Sequence, residues 1–151
     1  MNNKNKIYLQ NTKELVKTFP KITPLFVEEV INDFPLKYLE KNINVVFVTE
    51  DYIKELNMEY REKDYVTDVL SFNMDSDTLI GEVYVCPKYV KDNFAQDKQQ
   101  EEILRLIVHG ILHLNGFDHT VEFVEEKYNE EKMYVIQEEI LTNLLKKNLW
   151  N

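Results

Sequence analysis

His109, His113 and His119 are the only three histidines in a chain of 151 residues, and all three fall within HGILHLNGFDH. The first two are four apart, so a helix would carry both imidazoles on one face, one turn apart. Asn115-Gly116 then breaks the helix and lets the chain bring His119 back towards the same point. Three converging neutral imidazoles describe a transition-metal site, with one zinc ion per chain the first expectation and nickel able to replace it on the same donors. A single histidine would read as a hydrogen-bonded core or surface group. Three at this spacing favour the metal.

Written as H-x3-H-x2-G-x2-H, the segment has the spacing of the metzincin signature H-E-x-x-H-x-x-G-x-x-H, in which three imidazoles hold a catalytic zinc. Gly110 stands where that signature has glutamate, so the ligand spacing is kept while the usual general base is absent. Three protein ligands leave a position open, the mark of a catalytic site. A closed, structural site recruits a fourth side chain, often cysteine, and Cys86 is a weak candidate because it lies in a strand-like run. Asp118 reads equally as a group that orients a ligand or accepts a proton, and as a cap before the final helix.

These residues need a scaffold, and the hydrophobic pattern supplies one. KIYLQ (6–10) alternates as a strand, and Asn11-Thr12 is expected to cap a helix over 13–18. Thr23-Pro24 starts a second helix with Phe26, Val27, Val30, Ile31 and Phe34 at helical spacing, ended by Pro35. INVVFVT (43–49) is a β-branched, buried strand. Thr49 caps a helix with Ile53, Leu56 and Tyr60 on its inner face. A loop from Asp64 leads into a strand centred on 69–72. LIGEVYVC (79–86) is another strand, with Gly81 a bulge or a point of close backbone approach. Pro87 opens a helix to about residue 94. A long helix over 97–116 carries His109 and His113, and the last runs from Val121 to Lys147, with Met133, Ile136, Ile140 and Leu144 among its packing positions. Strands and helices do not alternate regularly enough for a doubly wound fold. The expectation is one α+β domain over residues 1–151: a small mixed β-sheet packed with helices, carrying a metzincin-like three-histidine site.

Composition narrows the function. With 44% hydrophobic residues the chain can build a core without disulfides, and the lone Cys86 fits a reducing compartment. The amino-terminal stretch lacks a signal-like apolar run and no segment approaches a membrane span, so a cytoplasmic protein with no membrane partner is expected. A formal net charge of −9 argues against indiscriminate binding to nucleic acid but permits a local basic groove.

HGILHLNGFDH resembles the H-G-x-L-H-L-x-G-x-D-H signature of the YbeY family, bacterial ribosomal RNA maturation factors described as single-strand-specific, metal-dependent endoribonucleases. LNMEYREKDYVTDVLSFN resembles a second family motif, L-N-x-x-Y-R-x-K-D-x-P-T-D-V-L-S-F-P, through Leu56, Asn57, Tyr60, Arg61, Lys63, Asp64 and Thr67 to Phe72. LIGEVYVC and EEKMYVIQEEIL are similar to the family's L-G-D-I strand and closing helix. The likeness runs from residue 43 to the end of the chain. Val66 and Asn73 stand where the family has prolines and Glu82 where it has aspartate, while Phe117 fills a variable position. The resemblance implies a compact α+β fold with the metal at the end of a cleft.

Hydrolysis of a phosphodiester builds negative charge on the nonbridging oxygens, and a cation opposite the metal would stabilise it. Arg61 is the candidate: its guanidinium is always charged and forked to match phosphate. In isolation it reads as a surface ion pair with Glu62 or Asp64; its motif favours the phosphate role. Lys63, Lys88, Lys91 and Arg105 read as a basic strip for RNA or as solvated helix charges, Ser71 as a substrate contact or an ordinary strand-end serine, and Thr67 and Asp68 as organisers of their loop. Tyr60 or Tyr65 could stack on an unpaired base, although helical spacing puts Tyr60 in the core.

Three functions remain in view. The first is a zinc-dependent endoribonuclease acting on single-stranded and ribosomal RNA, in ribosomal RNA maturation and ribosome quality control. The second is a metallopeptidase-like hydrolase, which Gly110 argues against. The third is a ribosome-associated assembly factor whose metal mainly holds the fold. Its acidic surface would reach RNA through a ribosomal protein or a ribosome-associated GTPase.

Overall fold

Alternating β-branched residues and capped amphipathic runs build most of the expected elements. The computed structural model describes residues 6–74, 76–116 and 123–149; for 123–130 and 148–149 it describes the backbone alone. Strand β1 (Ile7–Gln10) is followed by helices α1 (Thr12–Thr18) and α2 (Pro24–Ile31), strand β2 (Asn42–Phe47) and helix α3 (Glu50–Arg61). Then come β3 (Val69–Asn73), β4 (Leu79–Val85), α4 (Pro87–Asn93), α5 (Gln99–Leu114) and α6 (Phe123–Leu149). Thr23 and Thr49 cap α2 and α3 as expected, their hydroxyls accepting from Phe26 N (3.1 Å) and Tyr52 N (3.2 Å). Asn11 does not cap α1: its backbone is left-handed, and its amide instead donates to Phe47 O (2.7 Å), tying the start of α1 to the end of β2. Helix α2 stops at Ile31, short of Phe34, because the residue before Pro35 is pushed out of helical geometry.

The sheet order is β1-β2-β4-β3, with β1, β2 and β4 parallel and β3 antiparallel to β4. This is the mixed sheet expected of an α+β fold. Period-two alternation divides its side chains between two layers. Ile43, Val45, Phe47, Val83 and Val85 enter the main core beneath α5 and α6. Leu70 on the opposite face joins Val48, Ile53 and Cys86 in a smaller core under α3. Cys86 is fully buried there, and burial pushes its thiol pKa up. It therefore acts as a small apolar group, not as a fourth metal ligand. Among the described residues no helix is long and apolar enough to cross a membrane.

Two glycines let α5 sit close to the sheet. A Cβ on Gly110 would collide with Val83 Cγ1 and lie 2.9 Å from Val83 Cγ2. On Gly81 it would collide with Phe72 O and lie 2.8 Å from Leu114 Cδ2. Of the two readings of Gly81 the close approach holds; the register shift lies beside it, with Ile80 the extra residue between Leu79, paired with Asn42, and Gly81, paired with Ile43. Pressed between the sheet and α6, α5 is buried from Glu102 to Leu114 except along Arg105, His109 and His113, which with Glu101 form a part-exposed stripe. At the start of that stripe Arg105 donates to Glu101 (2.8 Å), Glu102 (2.8 Å) and both carboxylate oxygens of Glu138 on α6 (2.8 and 3.0 Å). The Arg105 hydrogen bonds hold the Glu138 carboxyl below its ordinary pKa, whereas burial raises that of Glu102.

Two outcomes follow from this packing. Gly110→Ala forces a methyl into the stiff, branched Val83 and should destabilise the fold by about 1–3 kcal/mol in urea unfolding; a neutral substitution would show that the helix–sheet contact is loose. Arg105→Met should cost about 2 kcal/mol at pH 7, a figure discounted for the partial exposure of these groups. Glu138, with its lowered pKa, stabilises the parent above the ordinary carboxylate pKa, and this contribution fades as the pH falls through the lowered value. Glu102, raised by burial and deprived of its cation in the variant, favours the folded state more as it protonates. The stability gap between variant and parent should therefore narrow from pH 7 to about pH 4. A gap that widened on acidification would contradict this account.

Candidate functional site

The part-exposed stripe of α5 ends in a cleft of about 480 Å³, lined by Arg61, Thr67, Asp68, the strand residues 69–73, His109 and His113. Each wall has a local cause. Ser71 lies on the α5 face of β3, and its hydroxyl donates to Gly110 O (3.2 Å). Asn73 donates to Leu114 O (2.9 Å), so a residue that occupies a family proline position clamps the end of β3 to the end of α5. Asn57, fully buried in α3, donates to Tyr65 O (2.9 Å) and anchors the loop into β3; its Oδ1 meets no donor among the described residues. Thr67 donates to Asp68 Oδ1 (3.3 Å), the local organisation expected of that loop.

His109 and His113 emerge one turn apart, their Nε2 atoms 2.8 Å from each other. Nδ1 of His109 lies 2.8 Å from Gln137 Oε1 on α6. These residues fit a transition metal. Two imidazole nitrogens already face one another, and tetrahedral zinc at about 2.0–2.1 Å from each donor needs them only about half an ångström farther apart. His119 and Asp118 lie outside the described residues. Among those described, no three His, Cys, Asp or Glu side chains form a metal cluster, so the complete three-histidine site is not shown.

Arg61, in the last turn of α3, is exposed and lines the same cleft as His109 and His113 of α5. The ion pair with Glu62 or Asp64 does not form among the described residues; Asp64 approaches Lys54 instead (3.9 Å). Of the four basic residues considered beside it, Lys88 is bound to Asp92 (2.7 Å) and Arg105 to three carboxylates, in keeping with the helix-charge reading. Neither these nor Lys63 and Lys91 line the cleft, so Arg61 is the sole lysine or arginine among its described lining residues. Tyr60 is not a core residue. It is 59% exposed and leans on Phe72 at the sheet edge, ring centroids 5.1 Å apart. Buried Asn57 takes the inward position instead.

Gln137 is the site residue that sequence reasoning missed. It is 6% exposed in an apolar stripe with Met133, Ile140, Leu141 and Leu144. A polar residue at a packing position of helical period is the signal that would have found it.

The family model described as "Endoribonuclease YbeY" matches residues 1–145. A protein of that name from Thermotoga petrophila is 39% identical over 114 residues, covering 72% of this chain and 76% of the relative. Another, from Ureaplasma parvum serovar 3, is 37% identical over 140 residues, covering 89% and 84%. The solution structure of a Thermotoga maritima protein superposes with a TM-score of 0.56 at 31% identity, covering 93% of this chain and 90% of the other. With the fold, the cleft and a family match along nearly its whole length in agreement, this chain belongs to the YbeY endoribonuclease family.

Proposed function

We propose that this protein is a metal-dependent, single-strand-specific endoribonuclease of ribosomal RNA maturation and ribosome quality control, acting in the cytoplasm. One observation carries the reading: a single cleft in a YbeY-family chain holds a paired imidazole site and an arginine with no carboxylate partner among the described residues. A zinc ion held by His109, His113 and His119, or nickel on the same donors, would supply a Lewis acid for the phosphoryl group and lower the pKa of water.

The chain's own groups do the rest. Arg61 binds the scissile phosphate through its guanidinium fork and offsets the charge that grows on the nonbridging oxygens. Asp118 accepts the proton of the attacking water, the role Gly110 cannot fill because any side chain there would point into Val83. Tyr60 and Phe72 give an unpaired base a stacking surface at the cleft, which supports a preference for single strands, since duplex bases are not free to stack on side chains. The net charge of −9 supports delivery to the ribosome by a basic ribosomal protein or a ribosome-associated GTPase, with Arg61 acting locally.

Zinc-loaded protein should cut an unstructured RNA and leave a peptide library intact, and a chelator should abolish cutting. Arg61→Ala should lower kcat by about 10²–10³-fold with an unchanged unfolding midpoint. Cleavage that persists undiminished after metal removal, or in Arg61→Ala, would refute this mechanism. Normal cellular RNA processing by Arg61→Ala, with His113→Ala unfolded, would favour an assembly factor with a structural metal.

A further inference from the structure

Gln137 is a buried amide with two defined neighbours. Its Oε1 is 2.8 Å from His109 Nδ1, and its Nε2 is 3.0 Å from Glu138 Oε2. Glu138 is in turn held by Arg105, which Glu101 and Glu102 grip from α5. The chemistry of each group leaves one consistent assignment of hydrogens. An ionised carboxylate only accepts, and its bonds to Arg105 keep Glu138 ionised, so the amide nitrogen of Gln137 must face it. The amide oxygen therefore faces His109. A carbonyl oxygen also only accepts, so the hydrogen between them sits on His109 Nδ1. In its neutral, metal-ligating form the imidazole carries one such hydrogen, which leaves Nε2 with a lone pair directed at His113 Nε2, one turn along the same helix and 2.8 Å away.

We propose that Gln137 is a positioning residue: anchored by Glu138 and Arg105, it sets the tautomer and ring angle of His109 so that Nε2 is presented as a ready metal donor. The proposal rests on the reading of His109 as a ligand, and it adds the group that prepares it. Metal-ligating histidines commonly donate their second nitrogen to an acceptor that fixes the ring and raises donor strength. Here that acceptor stands 28 residues away in sequence, on a different helix. The Arg105 cluster thus does more than join α5 to α6, since it decides which end of the amide faces His109.

The test uses the full chain, Gln137→Met, which keeps side-chain length without the acceptor, and Gln137→Glu, which restores an acceptor. Long-range ¹H–¹⁵N NMR of the metal-free parent should show His109 protonated at Nδ1. In Gln137→Met the signals should move towards a mixture with the Nε2-protonated form, and calorimetric Zn²⁺ affinity should fall about 10–100-fold. Gln137→Glu should recover Nδ1 protonation and most of the affinity. An Nε2-protonated His109 in the parent overturns the proposal, as does a folded Gln137→Met that keeps both the Nδ1 signal and the parental affinity. The parent spectrum decides the tautomer even if the methionine variant fails to fold. A parent that takes up no Zn²⁺ yet shows Nδ1 protonation would overturn the metal reading and leave the tautomer assignment standing.

Discussion

At Gly110 the backbone of α5 lies against Val83 with no room for a methyl group, and at Gly81 strand β4 meets Phe72 and Leu114 in the same way. This close approach sets the position of everything in the cleft. It brings the turn carrying His109 and His113 down beside β3, lets Ser71 reach the carbonyl of Gly110, and lets Asn73 close on Leu114. Protein interiors transmit small displacements because they are packed without slack. A helix held off the sheet would therefore carry both imidazoles out of line with the strand and with Arg61. The same contact explains why a metzincin-like spacing occurs here without the glutamate. The residue after His109 faces the sheet, where only glycine fits.

One stripe of α5 serves two purposes. Its first half is an electrostatic lock in which Arg105 joins α5 to α6 through Glu138, and its second half carries the histidine pair. Gln137 links the halves, because the residue next to it holds the lock and its own oxygen touches His109. Stability and the preparation of the site thus draw on one set of hydrogen bonds. Partial burial makes this arrangement sensitive, since a carboxylate or amide left without its partner there is poorly compensated by water.

Charge is distributed in a way that composition does not reveal. The chain is acidic overall; Lys88 and Arg105 are occupied by carboxylates, and neither they nor Lys63 and Lys91 are among the residues lining the cleft. Arg61 remains on the cleft wall, beside the Tyr60–Phe72 ring pair. Under the function proposed above, such a surface would grip one phosphate and an adjacent base in preference to a long duplex.

The mixed α+β architecture, the strand cores, the caps at Thr23 and Thr49 and the helical pairing of His109 with His113 were legible from sequence because each depends on local spacing. Period two, period 3.6 and threonine before a helix are properties of neighbouring residues. The family motifs likewise marked Arg61 and the DVLSF strand as belonging with the histidines. Tertiary structure alone decided the rest. Tyr60 has helical spacing yet is exposed, because it lies at the sheet edge. Asn11 precedes a helix, but its amide was claimed by β2. Arg105 resembled a free basic residue until α6 brought Glu138 to it. Gln137 was invisible as a site residue because its meaning lies in a contact across 28 positions, and local pattern carries no information about which helix a buried amide will face.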